Sequence, residues 1–265
     1  MIAGHLGIDD AVRLLRAAGC AFAEREAQGI FAAFTDPHDR SVAVERRCSG
    51  LPLEYVVGVA TFAGVEVTIG SPSFIPRHRA EALVDVAAVR AAVLADSGPR
   101  RALDLGCGSG AIAVALTVRL PGWDVHATDI DAGSLVHART NAATFGFTVH
   151  QGHWWSGLPA RLRGSFDLVV AHLPYVPTLQ VAMLPRDLRD AEPLRTVDGG
   201  PDGLDPWRLV APEAAGWLTE SGAVLTQVTH GQRNDALAVG RAGGLQTECV
   251  ESEDAVVVVG RPPRR

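Results

Sequence analysis

The run L-D-L-G-C-G-S-G-A at residues 103–111 constrains the fold of this chain more than any other feature of its sequence. A short apolar stretch typical of a buried strand, residues 101–105, leads into it, and a helical pattern over residues 110–118 follows. Glycines at such a junction let the backbone turn tightly and approach a ligand that side chains would exclude. The run therefore predicts a strand, loop and helix with a ligand at the carboxyl end of the strand.

Strand-length and helix-length apolar runs alternate along the chain from residue 80 onward. The predicted elements are helix 80–95, strand 101–105, helix 110–118, strand 124–128, helix 131–145, strand 147–151, strand 166–171, helix 206–219, strand 222–228 and helix 233–242. Short apolar strands joined by helices predict an α/β fold with a parallel, doubly wound sheet. Two further strand-like runs, at 245–250 and 255–259, predict an antiparallel hairpin that closes one edge of the sheet.

The first part of the chain has a different pattern. Apolar residues recur at helical spacing from about residue 8 to 47, which predicts two or three short amphipathic helices. β-Branched residues then alternate around a glycine between Tyr55 and Ile69, as in a β-hairpin. We therefore expect an N-terminal helical domain over residues 1–50, a β-hairpin linker over 51–78 and an α/β domain over 79–265.

The composition excludes several classes of protein. The chain has 265 residues, 47% of them hydrophobic, and 24 basic against 30 acidic side chains give a formal net charge of -6, so disorder and a basic nucleic-acid surface are not expected. The four cysteines and the histidines show no metal-ligand spacing, and so few cysteines indicate a reducing compartment. No membrane helix or signal peptide is predicted. We expect a cytoplasmic protein with no metal, nucleic-acid or membrane partner.

A carboxylate follows the glycine run at the distance expected for a bound nucleoside. Asp129 ends the next predicted strand, about 20 residues beyond Gly110, where a carboxylate accepts the ribose hydroxyls of a nucleoside. Its neighbour Ile130 is expected to lie against the same ligand, whereas Asp131 is placed to cap the next helix. The glycine run and Asp129 together predict a nucleoside cofactor.

Two such cofactors fit the pattern. Gly106, Gly108 and Ala111 satisfy the G-x-G-x-x-[GA] pattern of NAD-dependent oxidoreductases, which therefore stay open as an alternative. Asp104 favours S-adenosylmethionine, because a carboxylate there can meet the ammonium of the methionine moiety but would repel a pyrophosphate. Gly110 narrows the loop and favours S-adenosylmethionine as well. A non-catalytic nucleoside-binding module is a third alternative.

A second group of functional candidates follows the strand predicted at residues 166–171. In a doubly wound sheet this strand ends beside the glycine loop, so His172-Leu173-Pro174-Tyr175 is expected to face the reacting group. Here the chain resembles the HemK/PrmC-type protein glutamine methyltransferases, within a wider group of S-adenosylmethionine enzymes that carry N-P-P-Y after the fourth strand. Further segments match motifs of this family in the same order: residues 48–58, 74–77, 151–154, 192–193 and 198–204.

The resemblance implies a small N-terminal helical domain, a β-hairpin linker and a seven-stranded, Rossmann-like class I methyltransferase domain that uses S-adenosylmethionine. In the family, the motif asparagine and the following backbone carbonyl receive hydrogens from a glutamine amide, and the motif tyrosine packs beside that planar group. This chain has His172 in place of the asparagine and Leu173 in place of the first proline. His153 stands where the family has an acidic residue before Trp154, at the expected adenine contact.

The histidine substitution leads to a hypothesis about the methyl acceptor. A histidine with the ordinary pKa of about 6.5 can remove a proton near neutral pH, which suits a small planar acceptor such as an indole or another heteroaromatic. We therefore expect His172 to act as a base and Tyr175 to stack on such a molecule. The alternatives are a release factor glutamine as the acceptor, or an inactive site in which His172 only hydrogen-bonds a loop carbonyl.

The residues expected to bind the cofactor are Asp104, Gly106, Gly108, Gly110, Asp129, Ile130, His153, Trp154 and His172. The sequence leaves the oligomeric state open, a homo-oligomer included.

Overall fold

The computed structural model describes residues 6–94, 99–184, 189, 191–253 and 255–263. The first described residues are helical, as the spacing of their apolar residues predicts. The predicted helices there are α1 (Ile8–Ala17), α2 (Ala23–Ala33) and α3 (Pro37–Cys48). A fourth helix, α4 (Leu53–Val57), lies where the sequence predicts the hairpin linker, so the prediction missed it. These helices pack around an apolar cluster that includes Leu15, Ile30, Val44 and Val56. The division into separate domains stays a prediction.

A two-stranded antiparallel hairpin follows, formed by β1 (Val59–Phe62) and β2 (Val65–Thr68). The connecting residues Ala63 and Gly64 have φ angles of 50° and 78°, as in the two-residue turns that match the twist of paired strands. The hairpin predicted from the alternation of β-branched residues is therefore present. Its buried face shares an apolar cluster with the helices that cover one face of the main sheet.

The main sheet has seven strands in the order β5-β4-β3-β6-β7-β9-β8. They are β3 (Arg101–Leu105), β4 (Asp124–Asp129), β5 (Thr148–Gln151), β6 (Phe166–Ala171), β7 (Leu218–Val228), β8 (Gln246–Glu251) and β9 (Val256–Arg261). Strands β3 to β7 are parallel, whereas β9 pairs antiparallel with both β7 and β8. The predicted α/β fold and the antiparallel closing hairpin are confirmed.

Helices cover both faces of this sheet. They are α5 (Glu81–Ala92), α6 (Ala111–Arg119), α7 (Ala132–Phe145), α9 (Asp205–Ala214) and α10 (Arg233–Ala242), whereas the short helix α8 (Thr178–Val181) lies in the segment that follows β6. Helices α5 to α7 share one apolar cluster with the hairpin, and α9 and α10 share a second cluster with Trp155 and Trp217. No helix in the described part of the chain is both long enough and apolar enough to cross a membrane.

Helix α9 is shorter than the sequence predicts. The apolar spacing predicts a helix over residues 206–219, but the helix ends at Ala214 and β7 begins at Leu218. The first residue of β6 donates a backbone hydrogen bond to the Trp217 carbonyl, so this segment already pairs with the neighbouring strand. Sheet pairing overrides the local helical preference here. Trp217 therefore lies in the connection, with its ring stacked on that of Trp155.

The topology brings three connections together. The sheet order reverses between β3 and β6, so the loops after β3, β4 and β6 meet at one edge of the sheet. The glycine run follows β3, Asp129 ends β4, and His172 follows β6. This edge is where ligands bind in open α/β sheets.

Candidate functional site

A cavity of about 1350 Å³ opens at this edge of the sheet. Of the residues that the sequence selects, those lining the cavity are Asp104, Gly106, Gly108, Asp129, Ile130, His153, Trp154, His172 and Tyr175. The cavity therefore joins the glycine loop to the segment after β6, as the topology predicts. Gly110 is the exception, because it does not line the cavity. It precedes α6, and a Cβ there would lie 3.0 Å from the Phe147 ring, so this glycine makes room for packing.

The glycine loop has the conformation that its sequence requires. Gly106 and Gly108 have φ angles of 80° and 54°, in the left-handed region that other residues rarely adopt. A Cβ at Gly106 would lie 3.0 Å from the Trp154 ring. The backbone N–H groups of Gly106 and Cys107 donate to the Thr128 carbonyl over 2.8 and 2.9 Å, which fixes the loop to β4. The loop is a backbone cradle held to β4, and its glycines place no side chains on the inner surface.

Asp104 is a buried acid at the floor of the cavity. Its Oδ2 accepts a hydrogen bond from the backbone N–H of Ala113 over 2.9 Å. Burial raises its pKa to about 7, the hydrogen bond from Ala113 opposes that rise, and the nearby charge of Asp129 adds to it. No described cationic side chain forms an ion pair with Asp104. An ammonium group in the cavity would stabilise its charged form.

Asp129, the predicted ribose contact, also holds the glycine loop in its conformation. Its Oδ2 accepts from the backbone N–H of Gly108, and its Oδ1 accepts from that of Asp131, each over 2.8 Å. Each carboxylate oxygen keeps a second acceptor site, so both could also receive ribose hydroxyls. Asp131 caps α7 by accepting from the backbone N–H of Ser134, as the sequence predicts. Ile130 is exposed within the cavity lining.

The two adjacent tryptophans have different surroundings. Trp154 lines the cavity, and its φ of 47° lies in the left-handed region that a bulky residue seldom adopts. Its indole N–H is enclosed and has no hydrogen-bond partner among the described residues. Trp155 instead donates to the Val210 carbonyl over 3.1 Å in the apolar cluster. Only Trp154 could contact an adenine, with the exposed His153 beside it.

The segment after β6 forms the other end of the cavity. The His172 ring lies 5.9 Å from the Tyr175 ring and 5.7 Å from the Phe74 ring, measured between centroids. His172 Nε2 is enclosed and has no hydrogen-bond partner among the described residues. Neither ring nitrogen of His172 bonds a carbonyl of the described residues, so the structure gives no support to the alternative in which His172 only hydrogen-bonds a loop carbonyl.

The expectation that His172 titrates near neutral pH is wrong. Burial lowers the pKa of His172 to about 4, and the charge of Arg77 lowers it further. The sequence could not show this shift, because burial and Arg77 depend on tertiary contacts. The imidazole is neutral at pH 7 and is a weak base. A neutral imidazole still offers one nitrogen that accepts a hydrogen bond.

Similarity to curated relatives decides the family. A methyltransferase domain model matches residues 102–190. The release factor glutamine methyltransferase of Geobacter sulfurreducens is 34% identical over 213 residues, which cover 80% of this chain and 72% of that protein. The one of Xylella fastidiosa is 34% identical over 234 residues and covers 83% and 80%. The one of Gloeobacter violaceus is 39% identical over 186 residues and covers 69% and 63%. This chain belongs to the release factor glutamine methyltransferase family.

Solved structures show the same fold for this family member. The ribosomal protein L11 methylase of Lactobacillus delbrueckii subsp. bulgaricus superposes with a TM-score of 0.50 at 20% identity, covering 71% of this chain and 81% of that one. A methyltransferase from Pyrococcus furiosus superposes with a TM-score of 0.53 at 15% identity, covering 76% and 91%. At such identities the likeness concerns the fold alone. The predicted HemK/PrmC-type family and its Rossmann-like sheet are confirmed.

Membership of the release factor glutamine methyltransferase family makes S-adenosylmethionine the cofactor. The residues in the cavity fit it. The buried carboxylate of Asp104 has no cationic partner among the described side chains, and the indole N–H of Trp154 has no acceptor. The left-handed glycines leave room for a ligand against the backbone.

Two further groups of family motifs, to which the sequence alone assigns no role, lie around the end of the cavity that the segment after β6 forms. We call this the acceptor end. Gly199 donates a backbone hydrogen bond to the Val176 carbonyl over 2.8 Å, and Val176 donates to the Val197 carbonyl over 3.1 Å. The motif at 198–204 therefore supports the residues that follow Tyr175. Arg77 and Glu192, from two other motifs, form an ion pair 2.6 Å long. Both residues lie in family motifs, which marks them as functional candidates, but the sequence does not indicate that they contact each other.

Proposed function

We propose that this chain transfers a methyl group from S-adenosylmethionine to the side-chain amide nitrogen of a glutamine in a protein loop. Similarity to release factor glutamine methyltransferases over four-fifths of the chain carries this proposal. The shared cavity of the glycine loop and the His172-Leu173-Pro174-Tyr175 segment supports it.

The cofactor-binding roles follow from chemistry and position. In this proposal Asp104 binds the ammonium of the methionine moiety, and Asp129 accepts the ribose hydroxyls. Trp154 and Ile130 lie against the adenine, with His153 at its edge. The bound cofactor supplies an electrophilic methyl group on a sulfonium. The cavity walls would orient the reacting groups, and a bound acceptor loop would limit access of water to them.

The acceptor-binding roles follow from the neutral state of His172. An amide nitrogen is a poor nucleophile, because its lone pair is delocalised into the carbonyl. As the nitrogen–methyl bond forms, the sulfonium–methyl bond would break to leave a neutral thioether, and the nitrogen would lose one hydrogen as a proton to solvent. Acceptors for the amide hydrogens help the nitrogen to attack, and each such hydrogen bond in a buried site is worth ~1 kcal/mol or more. We assign one acceptor to His172 and the other to the Leu173 backbone carbonyl. The Tyr175 ring packs beside the planar amide.

The small planar acceptor expected from the sequence has less support than a protein glutamine. That hypothesis depended on a histidine that titrates near neutral pH, and burial lowers the pKa of His172 to about 4. The relatives indicate a protein acceptor instead. An NAD-dependent oxidoreductase is disfavoured by Asp104, because a buried carboxylate at this position would repel a pyrophosphate.

The test is methylation of a release-factor fragment that contains a Gly-Gly-Gln loop. We expect mass spectrometry of its peptides to show one added methyl group on the glutamine when S-adenosylmethionine is present. The matched control is the same fragment with the loop glutamine replaced by glutamate. A parallel incubation contains a panel of indoles, imidazoles and phenols. Methylation of the panel alone, or no product with any acceptor, overturns the proposal.

A further inference from the structure

The side chain of Gln232 joins three segments at the acceptor end of the cavity. Its Nε2 donates hydrogen bonds to the Tyr175 carbonyl and the Asp202 carbonyl, each over 2.8 Å. Its Oε1 accepts from the backbone N–H of Thr229 over 3.0 Å and from the Thr229 hydroxyl over 2.9 Å. The residue is buried. Tyr175 and Thr229 line the cavity, so this amide lies directly behind its wall.

Helix capping explains only half of these hydrogen bonds. Thr229 precedes the short turn His230–Gln232 that leads into α10, and Gln232 with Thr229 forms a capping box there. That cap needs only the acceptor oxygen of Gln232. The two Nε2 hydrogen bonds go to loops that belong to no helix. Glutamate would serve the cap equally well, but it could not hold these two carbonyls.

A glycine makes room for this arrangement. Gly203 has a φ of 81°, and a Cβ there would lie 2.2 Å from Gln232 Nε2 and 2.2 Å from the Tyr175 carbonyl oxygen. At Gly199, a Cβ would lie 2.7 Å from the Pro174 carbonyl oxygen. Gly199 and Gly203, two of the three glycines in the 198–204 motif, therefore let its backbone pack against residues 174–175, and Gln232 joins these two segments.

We propose that Gln232 is a positioning residue that fixes the Tyr175 backbone, and with it the Tyr175 ring, for the methyl acceptor. This inference rests on the proposed function in one respect, which is that Tyr175 contacts the methyl acceptor. Misplacing a reacting group by about 1 Å can cost about 100-fold in rate, so the fixed carbonyl has a measurable consequence.

Fluorine NMR tests the positioning without any assay of activity. The chain has two tyrosines, Tyr55 and Tyr175, so fluorotyrosine labelling gives one signal from the site and one reference signal. The Tyr55 hydroxyl donates to the Ser73 carbonyl in the linker. Gln232→Glu keeps the oxygen that Thr229 needs and removes both N–H donors. We expect the Tyr175 signal to shift or broaden and the Tyr55 signal to stay unchanged.

Two further variants control for charge and for labelling. Gln232→Met has a similar length and no charge, and we expect the same change of the Tyr175 signal. Gln246→Glu makes the same substitution on the exposed edge strand β8, and we expect neither signal to move. Thermal unfolding shows whether each variant is folded at the temperature of measurement. Should Gln232→Glu unfold, the uncharged variant carries the test.

Kinetics then show whether the position matters for methyl transfer. With the glutamine acceptor, we expect kcat of both Gln232 variants to fall ~10–100-fold and the Kd of S-adenosylmethionine to change less than about twofold. A Tyr175 signal that is unchanged in both variants overturns the inference, and so does an unchanged kcat. A wild-type protein that methylates no glutamine counts against the proposed function alone, because the fluorine signal reports on Gln232 separately.

Discussion

The guanidinium of Arg77 donates a hydrogen bond to the buried Oε1 of Glu192 over 2.6 Å. The same oxygen accepts from the backbone N–H of Ile75 over 3.0 Å, and the guanidinium lies over the Phe74 ring. The pair therefore fastens the segment after the hairpin to the segment that follows the acceptor motif. It also places a positive charge near His172, where it adds to burial in lowering the pKa of the imidazole.

Replacing Arg77 by methionine should separate these two effects. We expect the pKa of His172, followed by NMR of the ring, to rise from about 4 but to stay below 6.5, because burial is the larger cause of the shift. The free energy of unfolding should fall by ~2–3 kcal/mol, less than for a fully enclosed pair, because solvent partly screens Arg77. Arg119→Met, which breaks the surface pair with Asp85, should cost less than about 1 kcal/mol. If the pKa of His172 is the same in Arg77→Met as in the wild type, the charge of Arg77 does not contribute to the lowered pKa.

Restoring the asparagine of the family should improve glutamine methylation. We expect His172→Asn to raise kcat with the release-factor fragment by up to roughly tenfold, because an amide oxygen accepts N–H groups with better geometry, and His172→Ala to lower it by a similar factor. The Kd of S-adenosylmethionine should stay unchanged, as should all parameters of the exposed control His38→Asn.

The pH dependence of the same reaction tests the neutral state of His172. With a pKa of about 4, His172 keeps its charge state across the neutral range, so kcat at saturating cofactor should be flat between about pH 6 and pH 9. The opposite result would be a kcat that rises with pH around a midpoint near 6.5 in the wild type but not in His172→Asn. That result would support His172 as a base and contradict its assignment as a neutral hydrogen-bond acceptor.

Asp104 should make cofactor binding depend on pH. Its pKa is raised to about 7 by burial, and the ammonium of the cofactor binds the ionised form. The Kd measured by calorimetry should therefore increase as pH falls below 7, by about tenfold per unit once Asp104 is protonated. Asp104→Asn should abolish this dependence together with tight binding. A wild-type Kd that is constant between about pH 5.5 and pH 7.5 excludes the role.

The same substitution should stabilise the cofactor-free protein. Because the folded state raises the pKa of this acid, the folded state binds the proton more tightly than the unfolded chain does. The stability contributed by Asp104 is thus present at low pH and is lost as pH rises through the folded value of about 7. At pH 8, Asp104→Asn should raise the free energy of unfolding by ~1–3 kcal/mol. The exposed control Asp9→Asn should leave binding unchanged and lower the free energy of unfolding by less than about 1 kcal/mol, because Asp9 lies in the first turn of α1.

Local patterns predicted most of the fold, because strand and helix periods and glycine turns act over a few residues. The predicted strand at 101–105 matches β3, and the helix predicted at 233–242 matches α10. The helix predicted at 206–219 ends at Ala214, because the first residue of β7, Leu218, pairs with β6. That pairing joins residues about fifty positions apart, so no local pattern contains it.

The features of the site also separate into those that local patterns predict and those that depend on tertiary contacts. The glycine loop and Asp129 follow from spacing, because both lie at the ends of adjacent strands. Three features do not follow: Gly110 packs against Phe147, Gln232 bonds the Tyr175 carbonyl, and burial keeps His172 neutral. Each depends on residues that meet only in the folded chain.

Two histidines outside the cavity lining should make the fold sensitive to acid. His126 Nδ1 and His150 Nε2 lie 2.9 Å apart on β4 and β5, so one nitrogen donates to the other and full protonation of both rings breaks this bond. Burial lowers the pKa of both histidines. The carboxylate of Asp124 opposes this for His126 without cancelling it, and the charge of His126 adds to it for His150. The unfolded chain therefore binds protons first as pH falls. Stability present above about pH 6.5 should be lost below it, by up to ~1.4 kcal/mol per pH unit for each histidine.

Urea unfolding near pH 7.5 and pH 5.5 measures this loss. In the double variant His126→Gln and His150→Gln, the difference in free energy of unfolding between the two pH values should shrink, because a glutamine amide does not titrate. His172 is unchanged in the variant and contributes equally to both proteins, so it cancels in the comparison. The exposed control His38→Gln should keep the full difference. A double variant that loses as much stability in acid as the wild type would show that the paired imidazoles are not the groups that take up the protons.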